Sequence, residues 1–328
     1  MMTGQLYAIG EALIDFVPNQ TDLDLKDVQQ FKRVMGGAPA NVAVAVAKLG
    51  GKSQFVSKLG EDAFGDHIVE QLEQSQVGTT WVRRTKEANT GLAFVSLKKD
   101  GQRDFSFYRK PSADMLLSIE EVKDIMTNKD DIVHFCSVDL IDAPIKEAHR
   151  TLLDQAVRSN TLISFDPNVR LPLWESAEAC KQAIDEFIPY AHLLKISDEE
   201  LTFITGIEDE EEALESLFRG NVAWVIYTRG PKGALLKSKF GHHVEHHGFQ
   251  VEAIDTTGAG DAFIGSFIYQ MQKHRISLQQ LPEVSSNKIL EMLSFSNGYA
   301  ALTTLKNGAV DALPPLEEVE AFITNNRP

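Results

Sequence analysis

Along most of its 328 residues the chain alternates short apolar runs with amphipathic segments of helix length, and few architectures accommodate that rhythm. An apolar run of four to six residues reads as a strand buried on both faces. A helix-length segment between two such runs carries the chain back for a parallel pairing. The spacing predicts strands at Leu6–Ile9, Ser53–Ser57, Ile132–Phe135, Leu162–Phe165, His192–Ile196 and Trp224–Thr228. It predicts helices at Pro39–Leu49, Phe64–Gln74, Ile119–Met126, Ile145–Val157, Glu178–Phe187, Glu199–Thr205, Ala259–His274, Lys288–Leu305 and Leu316–Thr324. Pro39 falls where a first-turn proline belongs, and Ser118-Ile-Glu-Glu121 and Ser197-Asp-Glu-Glu200 fit the capping box.

Two stretches break the rhythm. Residues 16–34 hold no helix-length pattern. Residues 90–110 alternate like a hairpin, with Leu92, Phe94, Ser96 and then Phe105 and Phe107 flanking a Lys98-Lys-Asp-Gly101 turn. Both read as antiparallel strands outside the main sheet, forming a small lid. No linker, low-complexity tract or repeat separates them from the rest, so the expectation is one α/β domain over residues 1–328 with an inserted lid. The lid's exposed strand edge and apolar alternation suggest a homodimer through it.

The charge balance restricts partners. Against 47 Asp and Glu stand only 32 Lys and Arg, a formal net charge of −15, which disfavours nucleic acid and anionic membrane surfaces. The longest uninterrupted apolar runs are six residues, as at Val42–Ala47, far short of the roughly 20 that span a bilayer. Glu11 and Asp15 interrupt any signal-like start, and two cysteines, Cys136 and Cys180, cannot make a disulfide framework. These point to a soluble, cytoplasmic protein.

The segment with most chemistry is Asp255-Thr-Thr-Gly-Ala-Gly-Asp261, followed by an apolar helix. Gly258 and Gly260 let the backbone approach a ligand, and the helix they open directs free N–H groups outward as an anion cradle. Asp261 can simply favour the helix dipole, or act as general base beside a phosphate site. Other phosphate motifs fail on spacing. The dinucleotide fingerprint needs a third glycine where Phe263 stands, and the P-loop spacings at Gly60–Gly65 and Gly260–Gly265 lack the lysine. The second segment is Gly36-Gly-Ala-Pro-Ala-Asn41. With Asp15 at the end of the first strand region, Asn41 could offer an amide, and Asp15 a carboxylate, to vicinal hydroxyls.

These two segments carry a resemblance. Gly36-Gly-Ala-Pro-Ala-Asn41-Val-Ala43 with Gly50 and Gly60, and Asp255-Thr-Thr-Gly-Ala-Gly-Asp261-Ala-Phe-Ile-Gly265, resemble the two signatures of the ribokinase/PfkB family of sugar kinases, from about Tyr7 to Pro315. The resemblance implies a doubly wound, mostly parallel sheet with helices on both faces and a β-lid. It also implies ATP as phosphoryl donor and a sugar hydroxyl as acceptor. It makes Asp261 the catalytic base and Gly258, Ala259 and Gly260 the anion hole. It places the sugar on Asp15, Gly37 and Asn41, and the nucleotide on Lys195, Thr228, Gly230 and Asn297. Glu200 would organise Mg²⁺ through water, although Ser197 stands where the family often has Asn. Asp255 and Thr257, with carbonyls near Thr303, Lys306 and Gly308, would hold a monovalent cation, K⁺ suiting such a cage of oxygens.

The wording at Gly10–Asp15, Phe107–Asp114, Phe165–Arg170 and Lys195–Glu200 is most similar to bacterial fructokinases, which adds Arg109 and Arg170 as sugar ligands. Related 2-keto-3-deoxygluconate kinases and aminoimidazole riboside kinases share much of it, and a catalytically silent sugar-binding regulator is the reading from a different class. Two features are set aside: His242–His247 as a solvated hairpin and Cys136 as a packing residue.

Overall fold

Strand residues alternate between two hydrophobic cores, one on each face of a central sheet. Leu6 and Ala8 join the first core and Ile9 the second; Trp224 and Ile226 join the first, Val225 and Tyr227 the second. The computed structural model describes residues 4–20, 22–97 and 103–326. Its strands are β1 (Leu6–Ile9), β2 (Leu13–Pro18), β3 (Phe31–Gly36), β4 (Ser53–Gly60), β5 (Gly78–Thr85), β6 (Gly91–Leu97), β7 (Arg103–Tyr108), β8 (Ile132–Cys136), β9 (Leu162–Asp166), β10 (Leu193–Ser197), β11 (Trp224–Thr228), β12 (Ala234–Ser238) and β13 (His243–His246). The helices are α1 (Ala38–Lys48), α2 (Ala63–Gln74), α3 (Ile119–Val122), α4 (Pro144–Arg158), α5 (Ala177–Phe187), α6 (Asp198–Thr205), α7 (Glu210–Ser216), α8 (Ala259–His274), α9 (Ser286–Thr303) and α10 (Leu316–Asn325).

The main sheet runs β13-β12-β11-β10-β9-β8-β1-β4-β5. It is parallel from β11 to β5, with β12 and β13 antiparallel at one edge. From β1 the chain first builds outward through β4 and β5, then returns to β8 and builds the other way. The strand order therefore reverses between β1 and β8, and ligands of open α/β sheets bind beyond the carboxyl ends of strands at such a point. Helices α1, α8 and α9 cover one face, and α4, α5 and α6 the other. Buried aromatics fill both, with Trp224 edge-on to Phe267 at 6.3 Å and Phe135 stacked on Phe165 at 4.3 Å.

The expected strands and helices are present, and α7, β5 and β12 are additions to them. The separate four-stranded sheet, ordered β3-β2-β6-β7, starts its first strand at Leu13, and β2 pairs β6 in parallel, so it is not wholly antiparallel. The Lys98–Gly101 turn lies outside the described residues. Helix α3 is one turn, ending before Met126, which is 82% exposed and so has no core to hold it. Strand β5 had no clear pattern because this edge strand is only partly covered on either face. Among the described residues no helix is long and apolar enough to cross a membrane.

One helix crossing determines the chemistry. Helix α1 is almost entirely Ala and Val on its buried surface, and a Cβ placed on Gly265 of α8 would lie 2.7 Å from the Ala45 Cβ. Small side chains let the two backbones approach, which brings the first turns of α1 and α8 together beyond the sheet.

Candidate active site

That approach sets Asn41, in the first turn of α1, against Asp261, in the first turn of α8. The Asn41 Nδ2 donates to Asp261 Oδ2 at 2.8 Å across 220 residues of sequence. The other Asp261 oxygen accepts from Asn168 Nδ2 at 3.0 Å, in the loop after β9. Asp261 is 7% exposed, and burial raises its pKa against the opposing pull of Asn41, Arg170, Lys195 and Asn168. Gly258 caps α8 in the left-handed region at φ 74°, and the first-turn N–H groups of Gly258, Gly260 and Asp261 have no acceptor within the helix. Ala259 N donates to Thr256 O at 3.2 Å, so this member of the expected cradle is already engaged.

Behind the cradle lies a buried cation. Lys195, on β10, is 3.0 Å from Asp166 Oδ2, and a Cβ on Gly260 would fall 3.3 Å from its Nζ. Burial would discharge this lysine, but Asp166, Glu200 and Asp261 hold its pKa above the ordinary value. Asp166 in turn is pushed by burial to about 6. Glu200 forms the capping box with Ser197, accepting its N–H at 2.9 Å and its hydroxyl at 2.8 Å on Oε2, while Oε1 accepts Val169 N at 2.7 Å. Burial alone would raise Glu200, yet Lys195 and these donors keep it below the usual carboxylate range. Arg170 is exposed and donates to the Val169 carbonyl at 2.9 Å, and its charge acts on Asp261.

The Gly36–Gly37 turn packs onto Asp15 and Glu11. A Cβ on Gly36 would lie 2.1 Å from Asp15 Oδ2, and Glu11 Oε1 accepts Ala38 N at 3.0 Å. Asn41 Oδ1 and Glu11 Oε2 are buried with no protein hydrogen bond. Arg109 departs from its expected place: its guanidinium is 5% exposed and engaged by Asp114 and Asp139 instead of open to a ligand. A strand-end arginine shows its charge in the sequence but not the two acids that neutralise it. Burial pushes Glu11, beside this cluster, up to about 7. A native carboxyl raised from 4.5 contributes stability that is complete below pH 4.5 and lost as pH rises to 7. Replacing Glu11 by Gln should therefore gain roughly 3 kcal/mol relative to wild type between pH 5 and pH 8, read from chemical denaturation at both pH values. An unchanged difference would exclude this account of Glu11.

On the antiparallel side of the sheet, Thr228 ends β11 with its hydroxyl 3.4 Å from the Ile196 carbonyl, and Gly230 opens the following turn. Asn297, on α9, donates to His246 Nδ1 at 3.0 Å. Gly248 N also donates to that nitrogen, so Nδ1 carries no proton and the ring is neutral, as burial favours. The His-rich strand thus touches an expected nucleotide residue, which its sequence distance from either signature concealed. Among the described residues no cluster of His, Cys, Asp or Glu is arranged for a metal. Cys136 does have a histidine near it, His134 Nε2 at 3.7 Å, but burial raises the thiol and lowers the imidazole, opposing a reactive pair.

Asp255 joins two loops: Oδ1 accepts Thr257 N and Oγ1 at 2.9 and 2.6 Å, and Oδ2 accepts Gly308 N at 2.9 Å. The Thr303 hydroxyl donates to Tyr299 O, and Lys306 Nζ lies 3.7 Å from Glu318. His246 lay in the segment set aside as a solvated hairpin, and Glu11, Asp114, Asp139 and Asn168 carried no assigned role in the sequence. Of these only Asn168, inside Asp166-Pro-Asn-Val-Arg170, had a signal that could have marked it.

A buried carboxylate beside a helix-terminal anion cradle, on an open parallel sheet, is the arrangement of a phosphotransferase acting on a hydroxyl. The chain belongs to the pfkB family of carbohydrate kinases, whose profile matches residues 4–316. It is 42% identical over 314 residues to probable fructokinase-5 of Arabidopsis thaliana, covering 95% of each chain. Among solved structures it is similar to a fructokinase from Xylella fastidiosa with bound ATP, at TM-score 0.88 and 33% identity over 99% of both chains. A double-mutant fructokinase from Vibrio cholerae O395, bound to fructose, ADP and potassium ion, matches at TM-score 0.87 and 31% identity, covering 98% of each chain.

Proposed function

We propose that the protein is an ATP-dependent fructokinase that transfers the γ-phosphoryl group to a primary hydroxyl of fructose, giving fructose 6-phosphate. The observation that carries this reading is the Asn41–Asp261 hydrogen bond, which joins the two signature segments at the N-terminus of α8. Relatives and solved structures named for fructokinase, at 42% and 33% identity, favour fructose over the acid sugar and the riboside.

In this reading Asp15, the Gly36–Gly37 turn and Asn41 grip the sugar, with the unpartnered Asn41 Oδ1 accepting from a hydroxyl. Asp261 takes the proton of the attacking hydroxyl as the oxygen reaches the γ-phosphorus in line. The N–H groups of Gly258, Gly260 and Asp261 and the Lys195 ammonium face the charge that spreads over the phosphoryl oxygens. Thr228, Gly230 and Asn297 take the nucleotide side, and Arg170 closes the sugar side. Arg109 anchors the end of β7 to the core through Asp114 and Asp139, so in this reading it shapes the sugar side from within these ion pairs. The four-stranded sheet then acts as the lid.

Mg²⁺ would supply charge neutralisation at the phosphates. Its usual shell is waters, phosphate oxygens and one or two carboxylates, which fits the Asp166 and Glu200 pair around Lys195 better than an all-protein cage would. The oxygen-rich junction of Asp255, Thr257 and Gly308 suits K⁺. Measuring ADP release over a panel of fructose, 2-keto-3-deoxygluconate, aminoimidazole riboside and ribose tests the assignment. Fructose should give the highest kcat/KM. Preference for another sugar moves the substrate, and stabilisation by a sugar with no turnover would indicate a silent binder.

A further inference from the structure

We propose that Asn168 is a positioning residue for Asp261, holding one carboxylate oxygen so that the other faces the sugar hydroxyl; this rests on Asp261 being the base. The loop that presents it is fastened at each residue. Lys195 pairs with Asp166, whose Oδ1 accepts Asn168 N at 3.2 Å, and Glu200 accepts Val169 N at 2.7 Å. Asn168 itself sits in the left-handed region at φ 47°, a conformation asparagine tolerates better than most residues. Held this way, its Nδ2 reaches Asp261 Oδ1 at 3.0 Å while Asn41 reaches Oδ2.

Two amide donors on opposite oxygens fix the rotation of the carboxylate and favour its charged, proton-accepting form. Asn41 is also a candidate sugar ligand, so it can turn to the substrate when sugar arrives. Asn168, fastened through its own loop to Asp166 and Glu200, keeps its hold throughout. Charged or titratable neighbours that act on Asp261 are Arg170 beside Asn168, Lys195 on β10, and Asp166 and Cys136, which end β9 and β8; Glu200 lies one contact further, on Lys195.

Two substitutions separate the amide from the backbone. Glycine accepts φ 47° freely but has no amide, so Asn168→Gly retains the loop and removes the donor. It should lower kcat roughly 10–100-fold with sugar KM nearly unchanged, and raise the Asp261 pKa and the acid limb of kcat/KM by about one pH unit. Asn168→Asp keeps the side chain's shape but puts an acceptor where the donor to Oδ1 stood, so kcat should fall at least as far as in Asn168→Gly. Carboxyl ¹³C NMR, with the Asp261 signal assigned through Asp261→Asn, reads the pKa without turnover. An unmoved Asp261 titration and wild-type kcat in Asn168→Gly would overturn the proposal. Wild-type turnover in Asp261→Asn would instead remove the base assignment, leaving the NMR titration to report whether Asn168 holds the carboxylate.

Discussion

Replacing Asp261 by Asn is expected to lower kcat by roughly 10²–10⁴-fold while sugar affinity changes less than about threefold. The side chains are nearly the same size, so the crossing of α1 and α8 survives. What is lost is the proton acceptor, because an amide cannot take the hydroxyl proton. Asn41 and Asn168 now both donate to this group, and an amide offers only one acceptor oxygen. One neighbour must therefore flip its own amide so that its oxygen accepts from the new side chain, which predicts a stability change within about 1 kcal/mol beside the catalytic loss. Steady-state kinetics and a direct sugar-binding measurement separate the two effects. A parallel loss of binding and kcat would mean that Asp261 mainly holds the sugar.

Gly258→Val should be nearly as damaging, by a different route. At φ 74° a branched side chain is strained, and its Cβ would begin 2.7 Å from the Ala309 Cβ. The cap must shift, which misdirects the first-turn N–H groups of α8. Losing one such donor typically costs about 10²–10³ in kcat. Gly206 provides a matched control, since it has φ 73° at the end of α6 and its added Cβ would meet only the mobile tip of Lys181 at 3.3 Å. Gly206→Val should share the backbone strain, visible as a lower Tm, and leave kcat intact. Equal kinetic losses in both variants would show that strain alone accounts for the effect at Gly258.

Local structure was legible in the sequence, and contacts between distant segments were not. Helix α8, its glycine cap and Asp261 lie within one run of residues, and their spacing carried the meaning. The parallel core was equally legible because alternating apolar residues serve two cores. Strand β5, partly covered on both faces, had no such signature. Arg109 illustrates the second limit: its partners Asp114 and Asp139 lie 5 and 30 residues away, and only folding shows that they neutralise it. Asn168 illustrates it too, since its partner is 93 residues off. His246 was dismissed for distance from the signatures, yet the β12–β13 pairing carries it to Asn297.

The net charge of −15 poses a question for a protein that binds a polyphosphate. In the proposed reading the N–H groups at the α8 terminus and a bound cation would neutralise the phosphates locally, since the Lys195 charge is already matched by Asp166, Glu200 and Asp261. Binding of ATP as its Mg²⁺ complex should accordingly weaken little with salt compared with a nucleic-acid binder.

The product itself tests the central claim most directly. Wild-type protein with fructose, ATP and Mg²⁺ should give one new phosphomonoester signal in ³¹P NMR, coupled to the C6 protons, with one ADP formed per phosphoester. Asp261→Asn should give almost none over the same period. A wild-type protein that binds fructose yet forms no phosphoester, or an Asp261→Asn variant that forms it at the wild-type rate, would contradict the account.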